Sequence, residues 1–419
     1  MSVTDTRDVA TADLDAVDLM DPAWWRDGPP HELFARMRAE TPVRWNPSPD
    51  GGGFWSLTRH AEVSEASRDF ERFSSWRAGV FLHPDQVLPL DVTRNLLLYK
   101  DPPEHTKYRR ILQRAMTPHA VAQLDGVIRG EARAVVDAVV ERGACDAVAD
   151  LAVPLPLRIL AQLIGVPAGD VPRLYAWTQG FEDAARSPEP AQATATLMEM
   201  GGYLAEQIER QVAEGDEDSL VMQLRRAEVD GVRLDDTEIL VFFGLLVFGG
   251  NDTTRNTTSS GLLALLEHPD QLALLRERPE LLETAVEEVL RWTSVVNWFA
   301  RTANHGAEVG GVPIPEGEKV VMWYSSASRD EEVFPDPQRF DVTRGSSEHK
   351  AFGGGGRHFC LGAGLARAEL RAILGEVVSR LDGLELDGEV ERVQHSWTNS
   401  LTRLPVRFRP GARAAPRDA

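Results

Sequence analysis

Four consecutive glycines, Gly353 to Gly356, precede Cys360 in the segment AFGGGGRHFCLGAGLARAEL (351–370). A glycine run permits positive φ and close approach of the backbone to something flat or bulky. Small residues follow, Gly362, Ala363, Gly364 and Ala366, where a helix is predicted to start. A cysteine at a helix N-terminus has its thiolate stabilised by free N–H groups and the helix dipole. Such a thiolate is a strong axial ligand for haem iron. The alternative is a glycine-rich turn with a buried structural cysteine. A phosphate loop is excluded, because no Lys-Ser/Thr pair follows the glycines.

Three other constellations carry chemistry. In Gly249-Gly250-Asn251-Asp252-Thr253-Thr254, Thr253 lies four residues after Gly249. Its hydroxyl can bond that carbonyl and open the helix, while Asp252 beside it offers a carboxylate for proton transfer. Two abutting helices, with the glycines as a C-cap and Asp252 or Thr253 as an N-cap, fit the same residues. Glu288 and Arg291, three apart, share a helix face; alone they read as a solvated pair worth about 0.2–0.5 kcal/mol. The segment DPPEHTKYRR (101–110) opens a helix with prolines at its start, placing His105 and Arg109 on one face. Lys107, Arg110 and Arg114 fall on the opposite side, and a basic surface helix is the plain reading.

These residues need a frame. Helical periodicity covers 31–40, 105–142, 156–165, 190–226, 235–267, 269–293 and 362–382. Strand signals are short: VRW and GFWSL near 43–57, RTAN and VPIP near 301–315, KVVMWY at 319–324, LPVRF at 404–408. The expectation is a mainly α protein with small β-sheets near both ends of the sequence. Residues 1–20 read as a flexible arm, 21–410 as one domain and 411–419 as a tail.

Composition removes several function classes. With 45 Lys+Arg against 65 Asp+Glu, the net charge of −20 argues against nucleic-acid or anionic-lipid binding. Two cysteines, Cys145 and Cys360, cannot build a disulfide framework, an iron–sulfur cluster or a zinc finger, and they fit a reducing cytoplasm. The acidic N-terminus lacks the apolar run of a signal peptide. The longest apolar stretch noted, Ile239 to Phe248, is about half a membrane span.

The run F-G-G-G-G-R-H-F-C-L-G resembles the haem-ligand signature of cytochrome P450 enzymes, with Phe352, Gly353, Gly355, His358, Cys360 and Gly362 at the matching places. GGNDTT resembles the family's central-helix acid–alcohol motif, EVLR its ExxR pair, and FPDPQRF (334–340) the downstream segment that supplies a third member. All four constellations stand in the family's order. The resemblance implies the triangular helical prism of that fold and a b-type haem ligated by Cys360. It also implies that Asp252 and Thr253 deliver protons, that Gly249 is among the cofactor-binding residues, that His105, Arg109, His358 and Arg301 bind the haem propionates, and that Arg339 joins Glu288 and Arg291. The implied reaction inserts one oxygen of O2 into a substrate C–H or double bond. No flavin or dinucleotide unit is visible, so electrons from NAD(P)H arrive through a ferredoxin reductase and a small acidic ferredoxin. Lys107, Arg110, Arg114 and Arg357 form the expected docking patch. A monomer is the family default.

Pocket candidates by family position are Phe81, Leu82, Trp177, Phe181, Leu245, Phe248, Val295, Val296, Asn297, Trp298, Leu401 and Thr402. Most are apolar, so a hydrophobic molecule is expected. GFWSLTRHAEV, GNDTTRN and VVMWYSSASRDEEVF resemble the actinobacterial group acting on sterol side chains, branched lipids and terpenoids. The same broad group holds natural-product tailoring enzymes of antibiotic-type biosynthesis, some with carrier-bound substrates. Asn297 tilts the sequence reading toward a tailoring hydroxylase on a moderately polar scaffold. Oxidative coupling, ring closure, or haem binding without turnover are the competing classes; intact Cys360 and Asp252-Thr253 motifs weigh against them.

Overall fold

The computed structural model describes residues 9–48, 52–83, 88–113, 116–186, 190–215, 219–229 and 231–414. Its organising element is the central helix Asp236–Glu267, started by a capping box in which Asp235 and Glu238 each satisfy the other's backbone N–H. Most of its residues from Ile239 to Leu265 are buried, as expected for a helix surrounded by other elements. Gly249 and Gly250 are open to solvent and Phe248 and Thr253 are only half-buried. An open patch therefore interrupts the covered helix at the residues the sequence singles out.

Other predicted helices are shorter than their periodicity. The 105–142 pattern gives Glu104–Gln113 and Pro118–Asp137, the latter starting at Pro118 behind a Thr117 N-cap. Pro279 ends Pro269–Glu277 and precedes Leu282–Thr293. Gly215, at φ +70°, terminates Pro190–Glu214 before Leu220–Arg226. Helices His60–Arg68 and Val171–Arg186 were not expected from periodicity. The cysteine helix Ala363–Arg380 packs against both Pro118–Asp137 and the central helix.

A five-stranded sheet joins distant parts of the chain in the order Val43–Pro47, Gly53–Leu57, Lys319–Trp323, Trp298–Ala303, Phe73–Ser74. All pairs are antiparallel except Lys319–Trp323 beside Gly53–Leu57. The register Val320↔Arg301 fixes where Arg301 stands. Cys145 sits half-buried in a strand opposite Val406, and burial pushes its thiol up to about 12, the behaviour of a packing residue.

Both ends depart from expectation. Within the supposed arm, Leu14, Val17 and Leu19 are buried, Asp15 pairs with Arg44 at 2.7 Å, and Arg36 donates to the carbonyls of Val9 and Ala12. Leucine and valine at those positions bury enough surface to strap the segment onto the sheet side; residues 1–8 lie outside the described residues. At the other end, Gly411 N–H donates to Val140 and Ala414 N–H to Asp137, so the first four tail residues are pinned, and 415–419 lie outside the described residues. Among the described residues one segment, Ala147–Ile164, is long and apolar enough to cross a membrane, and 67% of it is buried inside the protein.

Candidate functional site

Three of the four glycines, Gly353, Gly355 and Gly356, have φ of +96°, +96° and +74°. The fourth, Gly354, is required by approach: a Cβ there would stand 2.5 Å from Ser67 Cβ. The close neighbour is thus helix His60–Arg68, not a planar ligand. Ser67 Oγ completes the clamp by donating to Gly355 O at 2.9 Å. This fixes the loop that presents Cys360, whose own N–H donates to Phe352 O at 3.0 Å. Cys360 is solvent-exposed, and the Gly362 N–H together with the charges of Arg109 and Arg367 favours its thiolate.

The predicted propionate residues gather around one space. His105 and His358 have ring centroids 4.2 Å apart, and Arg109 donates to Phe359 O at 2.7 Å. Arg301 is 2% exposed and donates to Ala300 O, with no carboxylate partner among the described residues. Burial, then Arg109, Arg301 and Arg357, push His105 down to about 4. Burial and the same arginines Arg301 and Arg109 lower His358. His105 Nε2 is buried without a partner. A basic cluster this poor in acid is costly until an anion enters it. On either side, a Cβ at Gly249 or at Gly362 would meet nothing within 4 Å. The donor set and the open space fit a planar dianionic cofactor ligated by sulfur, which is the chemistry of haem.

On the central helix, Thr253 Oγ1 donates to Gly249 O at 2.8 Å, as its spacing predicts. Asp252 faces the buried side, where Oδ1 accepts from Arg255 at 2.5 Å and from Asn256 at 2.8 Å. The alternative of two abutting helices fails, because the helix is continuous from Asp236 to Glu267.

The Glu288–Arg291 pair is fully buried rather than solvated, with Arg291 Nε 2.7 Å from Glu288. Its third member is Arg344, whose Nε lies 3.2 Å from Glu288 Oε2. Arg339, expected in that role, has a side chain 65% exposed and offers only its carbonyl to Arg291. The backbone turns between the two, since Asp336 adopts positive φ and Asp341 N–H bonds Glu288. A Pro-Asp-Pro turn followed by an arginine in Phe-Asp-Val-Thr-Arg was the available sequence signal.

Pocket candidates divide. Leu82, Leu245, Phe248 and Val296 are half-buried; Phe248 stacks on Trp397 with centroids 5.7 Å apart and planes 7° apart. Phe81 meets Trp397 edge-on at 5.0 Å. Trp177 instead packs in the core on Tyr203 and Phe243, because helix Val171–Arg186 turns it inward. Trp298 packs on Trp323 beneath the sheet, Val295 and Leu401 are core residues, and Thr402 is on the surface. Asn297 is wholly buried, its N–H donating to Trp397 O and its carbonyl accepting from Tyr324 N–H. Those are backbone bonds; its side-chain Oδ1 and Nδ2 are buried with no hydrogen-bond partner among the described residues. The side chains of Phe181 and Arg114 lie outside the described residues. Trp397 was missed, since an aromatic in the SWTNS turn carries no periodic signal.

Comparison with known proteins agrees with this geometry. The cytochrome P450 family model matches residues 191–409. The chain is 35% identical to a steroid C26-monooxygenase of Rhodococcus jostii over 95% of this chain and 86% of that one. It is 36% identical to a linalool 8-monooxygenase of Pseudomonas putida over 94% and 99%. A solved Mycobacterium marinum cytochrome P450 in complex with pseudoionone superposes with a TM-score of 0.86 at 36% identity, covering 95% and 100%. A match over half the length, together with full-length relatives above one third identical, means that the chain belongs to the cytochrome P450 family of monooxygenases.

Proposed function

We propose that this protein is a single-domain, haem-b monooxygenase of the cytoplasm, hydroxylating a free apolar molecule of terpenoid or steroid character. The observation that carries the substrate class is that the pocket positions left half-buried, Leu82, Leu245, Phe248 and Val296, are all apolar, with Phe248 next to the open Gly249 in the chain and stacked on Trp397. Haem, when bound, supplies the iron at which dioxygen is reduced and one oxygen is transferred. Cys360 would hold the iron; His105, Arg109, His358 and Arg301 would hold the propionates. With one of only two cysteines so used, no Cys-x-x-Cys-His attachment exists, which favours non-covalent haem b. A library of free terpenoids and steroids, read by the low-spin to high-spin absorbance shift, tests the class. A shift confined to carrier-tethered or strongly polar compounds would overturn it.

Thr253 and Asp252 are assigned to proton delivery. Thr253 Oγ1 donates to Gly249 O in the open patch, and Asp252, the next residue on the helix, is held on the covered side by Arg255 and Asn256. Thr253→Ala should lower product formed per NAD(P)H consumed by about tenfold, less than the roughly 10²–10⁴-fold of positioned proton transfer because water in the open patch replaces part of the relay. Unchanged coupling with the true substrate would remove Thr253 from this role.

Electrons are assigned to a ferredoxin and its reductase, with the enzyme acting as a monomer. A surface groove of about 530 Å³ is lined by Phe70, Pro102, Pro103, Thr106, Lys107, Arg110 and Arg357. It offers a local basic face on a chain of net charge −20. Surface charges interact over roughly 8–10 Å at ordinary salt, so this patch can dominate docking. Lys107→Glu with Arg110→Glu should slow ferredoxin-driven reduction about tenfold at low salt, with the gap closing at high salt. Reduction by dithionite should not change.

A further inference from the structure

Five consecutive carbonyls, from Trp76 to Val80, each accept a hydrogen bond from outside their own loop. Arg94 takes Trp76 O and Arg77 O at 3.2 and 3.0 Å. Lys319 Nζ takes Ala78 O at 2.6 Å and Gly79 O at 3.0 Å. Ala300 N–H takes Val80 O at 2.8 Å. The Arg94 bonds are made at the exposed end, whereas Lys319 works where the loop goes under cover at Gly79 and Val80. Immediately afterwards the chain delivers Phe81, which touches Phe299 and Trp397, and Leu82.

We propose that Lys319 is a positioning residue for the substrate pocket, holding the Ala78–Gly79 carbonyls so that Phe81 and Leu82 form its roof. Lys319 stands in the strand Lys319–Trp323 with no ion pair among the described residues. A lysine here brings an ammonium into low dielectric solely to reach two carbonyls, a desolvation that needs those bonds to offset it. Burial, with a smaller contribution from Arg301, lowers its ammonium to about 7, as that cost implies. Glycine at 79 suits the bend, with φ +75° and the Tyr99 ring only 2.6 Å from where a Cβ would stand. Without the ammonium, the carbonyls of half-buried Ala78 and buried Gly79 lose their donor and the loop has reason to leave the sheet for water.

The inference rests on the reading that Phe81 faces the pocket, and the experiment separates the two. Lys319→Met and the milder Lys319→Gln are compared with the parent by limited trypsin digestion of the holoenzyme, following cleavage after Arg77 by mass spectrometry. The same variants are titrated with 4-phenylimidazole, whose ring fills space above the iron it ligates, and with imidazole, which is too small to reach a roof. Lys319→Met should speed cleavage after Arg77 about tenfold and weaken 4-phenylimidazole at least fivefold. Imidazole affinity should move less than twofold, and Lys319→Gln should fall between. Unchanged cleavage in both variants overturns the staple. Faster cleavage with unchanged 4-phenylimidazole affinity overturns the positioning role. Phe81→Ala is the control: if it leaves 4-phenylimidazole affinity intact, the pocket reading itself has failed.

Discussion

Replacing Cys360 with Ala should abolish the thiolate-type Soret band of the reduced carbon monoxide complex, while Cys145→Ala leaves it in place. The contrast follows from what holds each residue. The anchors of the Cys360 loop are backbone and neighbour groups: Cys360 N–H to Phe352 O, Ser67 Oγ to Gly355 O, and Gly354 pressed on helix His60–Arg68. An alanine at 360 keeps every one of them, so the loop retains its shape and loses its sulfur alone. Cys145 lies in a strand remote from the loop, and its truncation costs about 1 kcal/mol of packing. Circular dichroism on both variants should match the parent. A surviving thiolate band in Cys360→Ala would sink the assignment of this loop and everything built on it.

How much of this was legible in the sequence depends on whether the signal was local. The cysteine loop and the Thr253–Gly249 bond were, because backbone geometry at Gly353 and a four-residue helical spacing are local facts. The burial of Glu288 and Arg291 was not, since a three-residue spacing looks the same in water and in a core. The error over Arg339 has a similar root. A motif places an arginine near the pair in sequence, but the turn at Asp336 decides which arginine swings inward, and Arg344 does. Trp177 and Trp298 were read as pocket residues from family position; helix rotation and strand register put them into packing clusters. Asp252 faces away from the open patch for the same reason, one residue being a 100° turn on a helix. Lys319 could not have been singled out at all, because the carbonyls it holds are some 240 residues away.

Glu288→Gln should destabilise the protein by about 3–5 kcal/mol, the usual result of leaving one buried charge uncompensated. Glu288 accepts from Arg291 Nε and an Arg291 terminal nitrogen at 2.7 and 2.8 Å and from Asp341 N–H at 2.8 Å, with Arg344 beside it. Arg291 in turn donates to Ser328 O and Pro337 O. Ser328 Oγ then accepts the N–H of Lys350, at the entry to the cysteine loop. The pair therefore secures the segment that delivers Cys360, and its loss should lower haem retention as well as the melting midpoint. At about 2 °C per kcal/mol for a chain this large, the midpoint should fall by roughly 6–10 °C at fixed scan rate. Arg344→Ala removes one cation and its bonds to Pro335 O and Asp336 O, an effect of about 1–3 kcal/mol. Arg339→Ala should stay within about 0.5 kcal/mol, because its exposed side chain reaches only Asp341, at 4.0 Å. The order Glu288→Gln, Arg344→Ala, Arg339→Ala is the decisive outcome. If Arg339→Ala proves as damaging as Arg344→Ala, the third member of the buried cluster is wrongly assigned.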